Sequence, residues 1–372
     1  MIRATQRCPD AFSVLAHTVW SGRALSPLEP STRLEVLTRA LEPLPEFYHK
    51  RCLQLATLTP QTLLELDLLR WDNSRLKAVI QGEAFDTVLD TGSSGNVMTL
   101  GAFNALRPRP DICSVRTTRC QQINGRFLPV AGATVLNVTI GGIKRAVPFL
   151  IVDAKPKAPP VVLLGVSFME AARCVLDYRM SRLSLEGPAG ATTVPMLLKG
   201  KTAARHLSQY SYLVNRLESH ESGASHVAKE LVCHVDVDGA DASSMPVEMA
   251  GLLDTGSGRS MVSPAVLDTL AISPKVFRHC KLSVALTNGD KEPIRSFAEL
   301  RVRFKGSNFL LRHPFLVVRS VAKRMLVLGA DLLGVLQAKL DVGKLSLVVE
   351  DPLVPRSTTN VTVLSHGKPH EN

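Results

Sequence analysis

Two short runs of this 372-residue chain carry residue types that can do acid–base chemistry together: Asp90-Thr91-Gly92-Ser93 and Asp254-Thr255-Gly256-Ser257. Each follows an apolar pair, Val88-Leu89 and Leu252-Leu253, which places each Asp at the end of a strand. A single Asp-Thr-Gly-Ser reads as a tight turn, since Asp, Gly and Ser all favour turns. Two copies in one frame support a chemical reading. Hydrolysis of a peptide bond with neither metal nor covalent intermediate needs a base for the water and an acid for the carbonyl or departing amine. Two carboxylates about 3 Å apart cannot both ionise, so they share a proton and their pKa values split into an acid and a base. Asp90 and Asp254 are the catalytic pair in that scheme. Thr91 and Thr255 offer hydroxyls that reach the facing loop, Gly92 and Gly256 let two backbones approach closely, and Ser93 and Ser257 are expected to donate to the outer carboxylate oxygens.

The frame is an internal repeat with an offset of 164 residues. Asn124-Gly125 recurs as Asn288-Gly289, Pro129 as Pro293, Leu164-Gly165 as Leu328-Gly329 and Leu176-Asp177 as Leu340-Asp341, all at that offset. Pro148-Phe149-Leu150 matches Pro314-Phe315-Leu316 at 166, and the register is back at 164 by Leu164. The loop from Asp153 to Pro160 is therefore two residues longer than its counterpart. Length changes confined to loops, with strands held in register, are what a duplicated fold gives.

The elements around these runs read as short strands. Lys77 to Ile80, a turn at Gln81-Gly82-Glu83, and Phe85 to Leu89 form a hairpin leading into the first Asp. Leu231 to Val237 and Val247 to Leu253 do the same for the second, around a longer loop. Asn124-Gly125 and Asn288-Gly289 are strong hairpin signals between apolar stretches, and they are the candidate flap tips. Val135 to Ile140 and Ala146 to Val152, joined through Gly141-Gly142, are mirrored by Leu300 to Phe304 and Phe309 to Val318. Helix is expected over Pro264 to Leu270. Residues 1–75 read as a helical N-terminal region, with Thr59 capping and Pro60 opening one helix. Residues 76–190 and 230–350 are the two repeated units. Residues 191–229, rich in Gly, Ser, His and Lys, read as a linker with one helical stretch around Tyr210 to Leu217. Residues 351–372 read as a flexible tail.

The landmarks of each copy resemble the retropepsin-like aspartic proteases of retroviruses, retrotransposons and their domesticated relatives. That family's run is two apolar residues, Asp-Thr-Gly-Ala/Ser, a flap hairpin, then apolar-apolar-Gly-x-Asp/Asn-apolar-Leu. The second copy fits with Val327-Leu328-Gly329-Ala330-Asp331-Leu332-Leu333. The first reads Leu163-Leu164-Gly165-Val166-Ser167-Phe168-Met169, with Ser167 where the family has Asp or Asn. Two-lobed pepsin-like enzymes also carry two such loops, but their first flap presents a tyrosine. No Tyr lies between Asp90 and Leu164 or between Asp254 and Leu328. The resemblance covers about two thirds of the chain. It implies a mainly β fold of two tandem retropepsin-like closed β-barrel units with a short N-terminal helical region. It implies an aspartic endopeptidase that needs no cofactor and no metal, acts on polypeptide, and is able to self-associate.

Other features bound the reading. The seven cysteines are scattered without metal-ligand spacing, which fits buried thiols in a reducing, cytoplasmic setting. The formal net charge of +11 is spread along the chain and aromatic residues are few, so a nucleic-acid partner is not expected. No apolar run reaches the ~18–20 residues that span a membrane. The stretch from Ala11 to Trp20 is broken by His17 and Thr18 and lacks a signal-peptide cleavage site. His206, His220, His234, His279 and His313 show no ligand spacing and read as surface or turn histidines. Two rival readings remain: a non-catalytic retropepsin-fold dimerisation or interaction module, and a retroelement-derived fragment that binds RNA. Pairing of the two Asp loops within one chain or between chains is open.

Overall fold

Alternation of apolar and polar residues builds the first sheet. Along residues 130–140, Leu136, Val138 and Ile140 point inward while Val135 and Asn137 face out, the period-two pattern of a half-buried strand. The turn that follows is Gly141-Gly142, at φ of 54° and 83°. Positive φ at both central residues is what the tight hairpin turn requires. In this computed structural model the described residues are 71–367, apart from 116–118, 123–126, 154–159, 189, 200–207, 211–213, 219–228, 240–244, 277–281, 286–290, 320, 322–324 and 352–356.

The first half runs β1 (Trp71–Ile80), β2 (Glu83–Leu89), β3 (Val97–Thr99), α1 (Leu100–Phe103), β4 (Arg119–Gln122), β5 (Phe127–Leu128), β6 (Val130–Ile140), β7 (Ile143–Val152), β8 (Val162–Leu164), α2 (Val166–Ala171), β9 (Val175–Asp177), β10 (Arg182–Gly187), β11 (Gly190–Pro195) and β12 (Leu197–Lys199). Between the halves lie β13 (Ser208–Tyr210) and β14 (Val214–Glu218). The second half runs β15 (Lys229–Gly239), β16 (Val247–Leu253), β17 (Met261–Val262), α3 (Pro264–Thr269), β18 (Lys275–Val276), β19 (Leu282–Ala285), β20 (Lys291–Ile294), β21 (Ser296–Phe304), β22 (Leu311–Val317), β23 (Leu326–Leu328), α4 (Ala330–Val335), β24 (Lys339–Asp341), β25 (Ser346–Glu350), β26 (Thr358–Thr362) and β27 (Leu364–Gly367).

The fold is mainly β, and each half closes on itself. Strands β1-β2-β8-β3-β7-β6 are consecutive neighbours, and β6 pairs back onto β1. Strands β15-β16-β23-β17-β22-β21 repeat that order, and β21 pairs back onto β15. In each half the strand that ends in Asp runs parallel to the strand that precedes the later glycine, β2 beside β8 and β16 beside β23. This places the Asp-Thr-Gly-Ser loop beside Gly165 or Gly329.

A third sheet joins the halves, in the order β11-β10-β9-β24-β25-β26. At its centre Leu176 pairs with Leu340, residues that are equivalent under the repeat, so a local two-fold relation passes through that pair. One continuous core of buried side chains includes residues of both halves, Leu176 and Leu340 among them.

Several sequence expectations are corrected here. Strand β1 begins at Trp71, earlier than Lys77, and its start lies inside the stretch read as the helical N-terminal region; the remainder of 1–75 outside β1 lies outside the described residues. The linker of 191–229 contains four strands, and β14 lies where helix was expected. Val214 to Glu218 is extended because its backbone pairs with β4, a tertiary partner outweighing a weak local helix signal. The tail from residue 351 is partly ordered, because β26 pairs with β25 and β27 with β15. Val361 and Val363 are buried there, so a segment polar in composition still supplies an apolar face. Among the described residues no helix is long and apolar enough to cross a membrane.

Candidate active site

Asp90 and Asp254 are brought together at the ends of β2 and β16, fully buried. Each loop closes on its own carboxylate. The amide of Gly92 donates to Asp90 Oδ1 at 3.0 Å, and that of Ser257 to Asp254 Oδ1 at 2.9 Å. The loops then interlock. Thr91 Oγ1 donates to the carbonyl of Leu253 and Thr255 Oγ1 to the carbonyl of Leu89, both at 2.7 Å. In return the Thr91 amide donates to Thr255 Oγ1 at 3.1 Å and the Thr255 amide to Thr91 Oγ1 at 3.0 Å. All four bonds are buried, and each hydroxyl serves as donor and acceptor at once.

The glycines are required by this approach. A Cβ on Gly92 would lie 2.8 Å from Asp254 Cγ, and one on Gly256 would lie 2.8 Å from Asp90 Oδ2. Each carboxylate therefore rests against the glycine of the opposite loop, where no other residue type fits. Asp90 Oδ2 and Asp254 Oδ2 are buried without a donor. Two such oxygens side by side are stable only if a proton lies between them. Burial raises both carboxyls well above the usual range; for Asp90 the neighbouring Asp254 charge adds to the rise. At Asp254 the backbone amides of Ser257 and Gly256 oppose the rise. The pair is thus set up to hold one proton, with the remaining charge carried best on Asp254.

The serines do something other than expected. Ser93 Oγ donates to the carbonyl of Gly95 at 2.8 Å, and Ser257 Oγ to that of Arg259 at 2.6 Å. They shape their own loops and leave the outer carboxylate oxygens alone. The candidate flap tips Asn124, Gly125, Asn288 and Gly289 lie outside the described residues. The hairpins leading to them are present as β4–β5 and β19–β20.

Beneath each loop is a polar buttress, in which the sequence reading singled out Ser167 and Asp331 but missed their partners Asn96 and Ser260. In the first half Asn96 Oδ1 accepts the Gly165 amide at 3.0 Å, while its Nδ2 donates to the Pro148 carbonyl at 3.1 Å and to Ser167 Oγ at 3.3 Å. In the second half Ser260 Oγ accepts the Gly329 amide at 3.0 Å and donates to Asp331 Oδ1 at 2.7 Å. Asp331 Oδ1 also accepts the amides of Ser260 and Leu332, at 2.8 and 2.7 Å. Residues 96 and 260 are equivalent under the repeat, as are 167 and 331. The larger polar side chain has changed position, so Asn96 with Ser167 fills the place of Ser260 with Asp331. The 164-residue offset shows both differences in the sequence, but only the fold shows that the two positions touch.

The second buttress carries charge. His313 Nε2 faces Asp331 Oδ2 at 3.2 Å, its ring edge-on to Phe315, and the Arg259 side chain is buried nearby. Burial raises the Asp331 carboxyl, but His313, Arg259 and Ser260 outweigh it and hold the group below the usual range. His313, read from sequence as a surface or turn residue, is buried. A further bond ties the first strand to the second loop, with the Ser74 amide donating to the Thr255 carbonyl at 3.0 Å and Ser74 Oγ 2.8 Å from the Tyr178 hydroxyl. Among the described residues no group of three or more His, Cys, Asp and Glu could hold a metal ion.

Residues 76–168 match the model of a family described as Aspartyl protease. The chain carries two Asp-Thr-Gly-Ser loops, the first of them in this segment. No curated protein sequence matches it. Among solved structures, the retroviral protease-like domain of Ddi1 from Leishmania major is similar at 12% identity and a TM-score of 0.25, over 34% of this chain and 94% of that one. The EIAV protease in complex with the inhibitor HBY-793 is similar at 20% identity and a TM-score of 0.21, over 27% of this chain and 88% of that one.

Proposed function

We propose that the protein is an aspartic endopeptidase whose two halves form one active site within a single chain. On this reading residues 76–190 and 230–350 are tandem retropepsin-like units, extended by β11 and β12 in the first and by β26 and β27 in the second. The observation that carries it is the reciprocal exchange between Thr91 and Thr255, which locks Asp90 and Asp254 against each other's glycine. A charge-sharing pair has no structural value that a buried apolar pair would lack, and it costs stability at neutral pH.

Asp254 acts as the base in this scheme. It takes a proton from a water as that water adds to the substrate carbonyl carbon. Asp90, protonated, donates to the carbonyl oxygen, giving a neutral tetrahedral diol. A proton then passes to the departing amine as the C–N bond breaks, leaving a carboxylic acid and restoring the shared proton. The substrate is an extended polypeptide lying between the Asp loops and the hairpins β4–β5 and β19–β20. The thiols of Cys120, Cys174 and Cys233 are buried and free, which supports a reducing, cytoplasmic location. A retroelement origin for the duplicated unit is part of the same reading.

The test is a mass-spectrometric digest of a peptide library between pH 4 and 7, with and without a pepstatin-type inhibitor. Inhibitor-sensitive cleavage that disappears in both Asp90→Asn and Asp254→Asn is expected. Cleavage that either variant retains near the wild-type level is incompatible with a shared site.

A further inference from the structure

The segment joining the halves makes two pairings of opposite sense. Strand β13 runs parallel to β19, with Ser208, Gln209 and Tyr210 opposite Ser283, Val284 and Ala285. Strand β14 runs antiparallel to β4, with Val214 opposite Gln122, Leu217 opposite Cys120 and Glu218 opposite Arg119. Strands β4 and β19 are equivalents under the repeat, since Cys120 and Val284 are 164 residues apart and both are buried. They are also the first strands of the two hairpins that carry the candidate flap tips.

A polypeptide laid across a two-fold axis must run parallel to one of two symmetry-related strands and antiparallel to the other. Direction along a single chain cannot match both. The pairings of β13 and β14 therefore have the two directions that an extended peptide laid along both hairpin edges would show. Gln209 and Leu217 lie opposite the equivalent residues Val284 and Cys120. Strand β13 also lies against β1, whose Ser74 is bonded to the Thr255 loop. Strand β13 thus touches the hairpin of the second half and, in the first, the strand that is bonded to the Asp254 loop. A connection that merely covered a sheet edge would need no such relation to two equivalent strands.

We infer that strands β13 and β14 occupy the peptide-binding groove of their own chain and compete with any extended peptide arriving from solution. The inference rests on the proposed active site for the meaning of the groove, but not on turnover. Backbone bonds to the hairpin edges are the same bonds an added peptide would make in strand addition. A tethered occupant has an effective concentration on the order of mM, so even weak docking excludes a dilute competitor. The ligand affinity seen from solution is reduced by the fraction of molecules in which the segment is docked.

The experiment compares the full chain with a variant in which residues 208–218 are replaced by an equal length of Gly and Ser, and with the double variant Gln209→Pro/Leu217→Pro. The probe is a fluorescein-labelled statine peptide, with binding read by polarisation and backbone protection by hydrogen exchange. Both variants are expected to bind the probe at least about tenfold more tightly than wild type. Amide protection at 119–122 and 283–285 should fall in the variants and return when the probe is added. Two variants of different kind guard against misfolding of either. Probe affinity no higher in the variants than in wild type overturns the inference. A protein that hydrolyses nothing, yet gains probe affinity when the segment is replaced, supports the inference while defeating the proposed activity.

Discussion

Thr91 and Thr255 exchange the same two hydrogen bonds in both directions, each hydroxyl donating to the carbonyl before the opposite Asp and accepting the opposite threonine's amide. This holds the carboxylates at the ends of two strands from different halves, so its removal should be felt in stability and in activity together. Thr91→Val keeps the shape but leaves the Leu253 carbonyl and the Thr255 amide buried without partners. A loss of about 2–4 kcal/mol is expected by chemical denaturation, with Thr91→Ser close to wild type. If Thr91→Val unfolds no more easily than Thr91→Ser, the interlock does not hold the halves.

The acidic pair has opposite effects on stability and on turnover. Its folded-state pKa values are raised, chiefly by burial. Stability from these groups is therefore fully present below about 4 and is lost as pH rises through the folded values, about 7 for Asp254. Asp254→Asn removes that dependence and should gain stability relative to wild type between pH 4 and 8. Activity in the same variant should fall by about 10³-fold or more, and the Asp90→Asn/Asp254→Asn double variant should be no worse, because groups acting as a unit are not additive. Thermal melts across the pH range and single-turnover assays give both answers.

The pH–rate profile follows from the same shared proton. Activity requires a singly protonated pair, Asp254 ionised and Asp90 protonated. Hydrolysis should therefore rise as pH rises through about 7, where Asp254 loses its proton. It should decline only at higher pH as Asp90, raised by burial and by the Asp254 charge, releases the shared one. A profile that already falls as pH rises through 7 would exclude this assignment of base and acid.

Asp331 should behave in the opposite sense. Its carboxyl is held below the usual range despite burial, by His313, Arg259 and Ser260. The stability it confers is present above about 4 and is lost as pH falls through its folded-state pKa. Asp331→Asn should cost on the order of 3 kcal/mol at pH 7, and the gap to wild type should narrow as pH is lowered. The reciprocal exchange in the first half, Asn96→Ser with Ser167→Asp, places a carboxylate where Val147 and Gly95 stand in place of His313 and Arg259. That variant should be less stable at pH 7 than at pH 4, since nothing there compensates the charge. Urea titrations at both pH values decide each case.

On the proposed function, the pairing of Leu176 with Leu340 gives a complete site in the monomer. Specific activity should be unchanged on dilution, with sedimentation reporting a single chain throughout. Activity that falls in step with dissociating dimers would show that the halves pair between molecules.

The sequence alone determined the repeat, the position of both Asp-Thr-Gly-Ser loops and the strands that carry them, because strand alternation and turn chemistry are local properties written into neighbouring residues. The need for Gly92 and Gly256 was legible for the same reason. The direction of the Ser93 and Ser257 hydroxyls was not, since two acceptors compete for each and only the folded loop selects the nearer carbonyl. The exchange of Asn96 and Ser167 for Ser260 and Asp331 was likewise hidden, because its members lie about seventy residues apart and meet only when α2 and α4 pack beneath the loops. His313 lacks any neighbouring ligand in sequence and is defined by a carboxylate on another element. The segment from Ser208 to Glu218 shows the limit most clearly. Its composition reads as linker and its local preference as helix, and β13 and β14 within it are extended because two distant hairpin edges offer them backbone partners.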